Sequence, residues 1–285
     1  PLFREMPVDA SPVPPEPGVC WNRYKAEGEV EHVIDPTTLG EFVQRLLAWD
    51  MTQALETADW LSFPSQILRE LTSGGVFHDG TGELTRLRTQ LAWYPRDIWL
   101  YLLACGWNTI EQEEHLMPRA GYVGDELGSA VIGGRLTNQI MRQCYLMEKR
   151  YAPYPKWFGS DFKRLQCAAE MMPLLQSILQ ARTWQERQAA FGQACLQLAR
   201  MHNSLGLTAP LAEELSLFHG RPFPVIHSDI FAIALREQIE DEQIRKLAAR
   251  GMIGAIDQIS DNSELKSNIA GWRAAVRDLY IGKNA

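Results

Sequence analysis

Apolar residues recur every three or four positions through most of the chain, which is the spacing of one face of an α-helix. The clearest run follows Pro95, and a second long run extends from about residue 125 to residue 151. Five large side chains on these two runs are predicted to be buried: Trp99, Leu103, Trp107, Leu136 and Ile140. The pattern predicts a mainly α protein, a helical bundle, over residues 37–281.

Two helix starts have the capping-box pattern, in which a threonine is followed three residues later by glutamate. They are Thr38 with Glu41 and Thr183 with Glu186. In this pattern the hydroxyl accepts a backbone N–H of the first turn, and the glutamate accepts the N–H of the capping residue. We therefore expect helices to begin at both places.

The first 36 residues have a different pattern. Residues 1–28 are rich in proline and predict an extended lead, because proline fixes φ and removes a hydrogen-bond donor. Residues 29–36 contain the best candidate strand, because Val30, Val33 and Ile34 are β-branched and Pro36 ends the run after residue 35. A single strand forms no stable sheet, so this strand either pairs with weak strands or is at most a remnant of a sheet that is not in this chain.

The composition changes this picture little. Hydrophobic residues make up 46% and charged residues 22% of the 285 positions, which is ordinary for a globular protein. A net charge of -7 argues against broad nucleic-acid binding. The most apolar segment, residues 98–107, is about half as long as a membrane span. The sequence leaves the oligomeric state open.

The five cysteines indicate a reducing compartment. Their number is odd and they form no C-x-x-C pair. We therefore expect five free thiols, no structural metal and a cytoplasmic location.

Residues 111–126 contain the first candidate chemistry. The segment has a net charge of -4, and Glu114 and Asp125 are its candidate general bases. The alternative is a solvated acidic helix end, because carboxylates also stabilise a helix start through its dipole.

Residues 141–164 contain the second candidate chemistry, with a net charge of +4. Tyr154, Lys156 and Trp157 lie in a proline-interrupted stretch that predicts an extended loop after a helix. Cations bind phosphate and rings stack on bases, so this combination suits a nucleotide. The alternative is that the rings fill a groove between helices while the cations stay in solvent.

The remaining candidates lie further along the chain. His202, Asn203 and Arg221 are candidate substrate-binding residues, although a lone histidine at a helix end is more often a cap or a core hydrogen-bonding group. The residues from Asp257 to Asp261 predict a capped turn. The chain has no Walker A loop, no G-x-S-x-G and no Asp-x-Asp.

Several short motifs together resemble a family of mainly bacterial proteins catalogued as a domain of unknown function. The resemblance covers about residues 30–281. Its motifs are Asp59-Trp-Leu61, Gly75-Val-Phe-His-Asp79, Trp93-Tyr-Pro-x-Asp97, Gln112-Glu-Glu114, Arg119-Ala-Gly121, Gly124-Asp-Glu-Leu-Gly-Ser129, Tyr151-Ala-Pro-Tyr-x-Lys-Trp-Phe-Gly159, Met201-His-Asn203, Arg221-Pro-Phe223 and Ile256-Asp-Gln258.

The resemblance implies a nucleotidyltransferase-like module followed by a helical region of the kind found here. In such a module a Gly-Ser and an Asp-x-Asp bind Mg²⁺ and a nucleoside triphosphate. This chain departs from that pattern because it lacks Asp-x-Asp. It would then be the helical portion, which binds a nucleotide or another small-molecule substrate for transfer to an unknown acceptor. The alternative is a non-catalytic nucleotide- or metabolite-binding or interaction protein.

Residue roles follow from the same resemblance. Glu114 or Asp125 would act as the base, while Arg119 and Lys156 would hold phosphate. Further substrate-binding candidates are Glu126, Tyr154, Trp157, His202, Asn203 and Arg221. We also expect the turn at 119–126 and the stretch at 151–159 to face one cleft, provided that the helix between them breaks at Gly133-Gly134.

Overall fold

A computed structural model describes residues 36–281, and it is mainly α-helical. The predicted fold class is therefore confirmed. The extended lead, the candidate strand at 29–35 and Cys20 lie outside the described residues. The helices, in chain order, are α1 Leu39–Leu47, α2 Thr57–Ser62, α3 Ser65–Thr72, α4 Glu83–Gln90, α5 Arg96–Glu114, α6 Leu116–Tyr122, α7 Glu126–Met147, α8 Pro155–Phe162, α9 Ala168–Gln180, α10 Trp184–Ser204, α11 Asp229–Glu237, α12 Glu242–Arg250, α13 Ile256–Ile259, α14 Ser263–Ser267 and α15 Ile269–Ile281.

The described residues form one small sheet, between α10 and α11. Strand β1, Ser216–Leu217, pairs antiparallel with β2, Pro224–Val225. A short 3-10 turn at Phe218–Gly220 joins the two strands. This hairpin positions part of the groove described below.

Both predicted capping boxes are present. The backbone N–H of Glu41 donates to the Thr38 hydroxyl at 3.2 Å, and that of Glu186 donates to the Thr183 hydroxyl at 3.3 Å. These contacts satisfy backbone donors that a helix start leaves unpaired. Helices α1 and α10 therefore begin where the sequence predicts.

The core lies between α5 and its neighbours. Helix α5 packs against α7 on one side and α11 on another, and α10 packs against α7 and α9. All five side chains predicted to be buried are at most 6% exposed. Trp107 of α5 stacks on Phe231 of α11 with ring centroids 4.3 Å apart. A buried stack of this kind has a preferred geometry, in addition to its hydrophobic contribution to stability.

The described cysteines are free thiols. Cys105, Cys144, Cys167 and Cys195 are all buried and none forms a disulfide. The prediction is confirmed for these four positions.

Helix α7 corrects the expectation of a single cleft. It runs without a break from Glu126 to Met147, straight through Gly133 and Gly134. Twenty-two residues at 1.5 Å each separate its ends by about 33 Å. The turn before α7 and the stretch after it therefore lie at opposite ends of one helix.

The stretch from Tyr151 also differs from the sequence prediction. It is extended only as far as Tyr154, and α8 begins at Pro155. Proline at the first helical position costs no hydrogen bond, because the first N–H groups of a helix have no partner within it. The prediction of an extended loop was wrong for Lys156 and Trp157.

None of the helices within residues 36–281 combines the length and the apolar character that a membrane span requires.

Candidate functional site

A surface groove brings together two of the predicted substrate-binding residues. We call it the Arg119 groove, and its volume is about 570 Å³. Its lining comes from α6, the start of α7 and the hairpin: Leu116, Arg119, Ala120, Tyr122, Val123, Ile132, Arg221, Pro222 and Phe223. Arg119 and Arg221 are 102 positions apart in the chain, so only the fold places them together.

The two arginines of the groove carry positive charges that no described side chain neutralises. Neither guanidinium forms an ion pair or a side-chain hydrogen bond with any residue between 36 and 281, and both residues are exposed. His115 lies close to them and stacks on Phe218, with centroids 4.3 Å apart. Burial lowers the pKa of His115, and the positive charges of Arg119 and Arg221 lower it further. The groove is thus locally positive in a protein of net negative charge.

Tyr122 supplies an aromatic ring at the same place. Tyr122 is 62% exposed, yet two other aromatic rings pack against its ring. The edge-to-face partners are Phe223, at 5.5 Å between centroids, and Trp184, at 6.2 Å. An exposed ring in a fixed position offers a stacking surface at little cost in conformational entropy.

The hairpin fixes the position of Arg221. Its backbone N–H donates to the carbonyl of Phe218 at 2.9 Å, and the N–H of Phe218 donates to the carbonyl of Phe223 at 3.0 Å. His219 and Gly220 between them have positive φ, which makes the turn tight. Hydrogen bonds within the hairpin therefore stabilise its loop and fix the backbone of Arg221.

Glu114 lies at the end of α5 and is 3% exposed. Its carboxylate accepts the backbone N–H of Ile226 at 3.2 Å and that of Ser228 at 3.1 Å. Burial raises the pKa of Glu114 to about 7. Both of its oxygens thus bind the segment that leads from β2 into α11.

Asp125 and Glu126 also bind backbone groups. Asp125 caps α7, accepting the N–H of Gly128 at 2.7 Å. Glu126 accepts the N–H of Trp184 at 3.0 Å and a guanidinium N–H of Arg187 at 3.3 Å. Glu126 belongs to α7, and it therefore gives a hydrogen-bond acceptor to a backbone N–H at the start of α10.

His202 and Asn203 are away from the groove lining. His202 is 1% exposed, its Nδ1 accepts the indole N–H of Trp107 at 3.2 Å, and burial lowers its pKa to about 4. Asn203 donates to the carbonyl of Leu211 and accepts its N–H, both at 2.9 Å. These contacts fold the chain that follows α10.

Tyr154, Lys156 and Trp157 form a separate cluster at the start of α8. All three are exposed, and the Lys156 ammonium lies 5.0 Å from the ring centroid of Trp157. Their neighbours Pro155 and Phe158 line a different cavity from the Arg119 groove. The exposed cationic and aromatic candidates thus lie in two places, the Arg119 groove and the start of α8, rather than in one cleft.

Sequence reasoning missed Tyr122 as a surface ring and Phe223 as its support. A tyrosine after a helix-end glycine gives no signal of exposure, because the exposure depends on where α10 and the hairpin pack. Among residues 36–281, no group of three or more His, Cys, Asp or Glu side chains is placed to hold a metal ion.

The comparisons with known proteins give one match. Residues 60–158 match a family described as a domain of unknown function (DUF4037). The matched segment is about a third of the chain, and it contains Arg119 and Tyr122 but not Arg221. No curated protein matches this sequence, and no solved structure matches it.

The buried Glu114 predicts a pH-dependent stability difference. Its pKa is about 7 when folded and 4.5 ordinarily, so its stabilising contribution is complete below pH 4.5 and is lost as pH rises through 7. Glu114→Gln removes this titration. The stability of the variant relative to the parent should therefore rise by about 2 kcal/mol between about pH 5 and pH 8.

Urea unfolding at the two pH values measures this difference, with Glu113→Gln as the control. Glu113 is paired at the surface with Arg135 at 2.6 Å, and its variant should differ from the parent equally at both pH values. A Glu114→Gln offset that does not change with pH would contradict the prediction. Taking the difference between variant and parent at each pH cancels the opposite titration of His202, which both proteins share and whose stabilising contribution is lost as pH falls through about 4.

Proposed function

We propose that this chain is the helical, nucleotide-binding portion of a nucleotidyltransferase-like protein, and that it binds the nucleotide in the Arg119 groove. The observation that carries the proposal is the meeting of two unpaired guanidinium groups with an exposed, supported ring in one groove. Both arginines were candidates from the sequence, and the resemblance to the nucleotidyltransferase-like family supplies the reaction class.

The chemistry of the groove fits a nucleotide. Arginine binds phosphate through two parallel N–H donors, and the two arginines offset part of the negative charge of a di- or triphosphate. The Tyr122 ring offers a face on which any base can stack. Leu116 and Val123 also line the groove and add apolar surface for a bound base to contact.

One observation favours the second candidate function, a non-catalytic nucleotide- or metabolite-binding protein. Glu114 and Asp125, the two candidate bases, both already accept backbone N–H groups. A base in transfer must reach the acceptor hydroxyl. In the nucleotidyltransferase proposal, the metal-binding carboxylates come from an α/β module and this chain holds the substrate.

Calorimetric titration with ATP, with and without Mg²⁺, tests the proposal on the full chain. Arg119→Ala and Arg221→Ala should each weaken ATP binding by about 10-fold or more, because each removes a charge-assisted phosphate contact. Tyr122→Ala should weaken the binding of ATP more than the binding of inorganic triphosphate, since only ATP has a base to stack. Melting temperatures should change little, because both arginines are exposed.

Two control variants sharpen the titration. Arg245→Ala removes an exposed arginine on α12, paired with Glu242, and should leave binding unchanged. Lys156→Ala reports on the cluster at α8. If Lys156→Ala weakens ATP binding while neither Arg119→Ala nor Arg221→Ala does, the nucleotide site is at α8 and the groove proposal fails. Binding that requires Mg²⁺ favours the transferase, and binding without it favours the second candidate.

A further inference from the structure

A second cavity lies beside the middle of α7, along residues 134–142, and an ammonium group is buried in its wall. The cavity has a volume of about 380 Å³, within the range of small-molecule sites. Helix α7, the stretch at 153–158 and the segment at 257–266 enclose it. We call it the Lys266 pocket.

Lys266 is 2% exposed, which is rare for a lysine. It belongs to the short helix α14. Asn262 caps the start of this helix, where its side-chain oxygen accepts the N–H of Leu265 at 2.9 Å. An ammonium with so little contact with water needs paired charge and hydrogen bonds, because desolvation of an ion costs several kcal/mol. The environment of Lys266 supplies only part of this.

Asp257 is the only ion-pair partner of Lys266 among residues 36–281, and the pair is long. Its Oδ1 lies 3.8 Å from the Lys266 Nζ, beyond the range of an N–H···O hydrogen bond. The other oxygen, Oδ2, accepts the backbone N–H of Ser65 at 2.6 Å. Asp257 is therefore fixed at the start of α3, and the three N–H donors of Lys266 have no hydrogen bond within the described part of the chain.

A second cation lines the same pocket. The side chain of Arg142 is 13% exposed, and its Nη2 donates to Asp261 at 2.7 Å. The Asp261 side chain is 72% exposed, so solvent already competes for this pair. The Arg142 guanidinium also lies over the ring of Phe158, 5.6 Å from its centroid. An anion that enters the pocket therefore meets two cations, of which one has unused donors.

The rest of the lining determines what kind of anion fits. Met141, Phe158 and Leu179 contribute apolar surface, while Thr137 and Asn138 contribute polar groups. We propose that the Lys266 pocket is a binding site for a compact organic anion. Its phosphate or carboxylate group pairs with Lys266 and Arg142, and its apolar body contacts Phe158. This site is independent of the nucleotide proposed for the Arg119 groove.

The pocket makes two predictions of opposite sign for phenyl phosphate as the probe. Lys266→Met keeps the length of the side chain and removes its charge, so it should weaken binding by about 10-fold or more. Asp261→Asn releases Arg142 from its carboxylate and should tighten binding by about 3-fold. A purely structural role for either residue gives no reason for the tighter binding.

Titration calorimetry on the full chain measures both changes, with Lys246→Met as the matched control. Lys246 is exposed on α12 and pairs with Glu242 at 3.3 Å, so its variant should bind as the parent does. If Lys266→Met does not fold, Arg142→Gln takes its place and should weaken binding, while Asp261→Asn still tests the sign. Parallel titrations with benzoate and inorganic phosphate identify whether the charged group is a carboxylate or a phosphate.

Three results would overturn the inference. One is the absence of binding of phenyl phosphate, benzoate and phosphate to the parent protein at about 10 mM. Another is equal binding of phenyl phosphate by the parent, Lys266→Met and Asp261→Asn. Loss of binding in Arg119→Ala and not in Lys266→Met would likewise move the anion to the groove and remove the second site.

Discussion

Replacing Gly121 with alanine is expected to lower the free energy of unfolding by about 3 kcal/mol. A Cβ at this position would overlap Cβ and Cγ of Trp184 and would lie 2.7 Å from its Cδ1. These atoms are at the start of α10, close to the backbone, so a simple rotation does not relieve the overlap. Helix α6 would have to move away from α10.

Gly134→Ala is the matched control in the neighbouring helix. Gly134 lies within α7, and a Cβ there would meet no atom within 4 Å. Because alanine restricts the unfolded chain and favours helix, this variant should gain about 0.5–1 kcal/mol. Chemical denaturation of the two variants should therefore show opposite signs. A Gly121→Ala protein as stable as the parent would show that α6 and α10 do not approach as closely as described.

The same contact connects the fold to the groove. Tyr122, next to Gly121, rests on the ring of Trp184. If α6 moves to admit a Cβ, Tyr122 and Arg119 move with it. Gly121→Ala should thus also weaken ATP binding in the groove, whereas Gly134→Ala should not.

The sequence predicted the fold better than the site because helices are local. A capping box such as Thr183 with Glu186 and an apolar face such as Trp99 with Leu103 are complete within one turn or two. The break at Gly133-Gly134 on which the single-cleft expectation depended is absent, and the reason is tertiary. Gly133 is packed tightly against Arg187 of α10, and this contact requires a glycine in a continuous helix.

The sites depend on contacts that no local pattern contains. Arg119 and Arg221 meet only because the hairpin folds back over α6. Glu126 has the pattern of a residue in the first turn of its own helix, and it caps α10 instead. Lys266 is a charged residue of a short helix, and it is buried because segments distant in the sequence pack around it. A charged side chain in a short sequence window gives no sign of which pocket it enters.

A second large effect is expected at Asp59, which joins α2 to α15. Asp59 is 3% exposed and its Oδ1 accepts N–H groups from Arg273 and lies 3.0 Å from the Nε of Arg277. Its Oδ2 accepts the backbone N–H of Glu56 at 2.9 Å. One carboxylate therefore balances two guanidinium groups and caps the start of α2.

Asp59→Asn should lower the free energy of unfolding by about 3–5 kcal/mol, because the shape is kept while the partly buried Arg273 loses its counter-charge and Arg277 keeps only its pair with Glu56. The control is Glu242→Gln on α12, whose pairs with Arg245 and Lys246 are exposed and should contribute less than about 1 kcal/mol. Urea unfolding of both variants provides the comparison. A loss at Asp59 no larger than the loss at Glu242 would contradict the prediction.

A double-mutant cycle separates the ion pair from the cap. If the effect of Asp59→Asn comes mainly from uncompensated charge, then Arg273→Gln in the same chain should recover part of the loss, because it removes the cation that Asp59→Asn leaves without a counter-charge. If the effect comes mainly from the cap on α2, the two losses should add. Recovery is the expected outcome, since an asparagine oxygen can still accept the N–H of Glu56 but cannot neutralise Arg273.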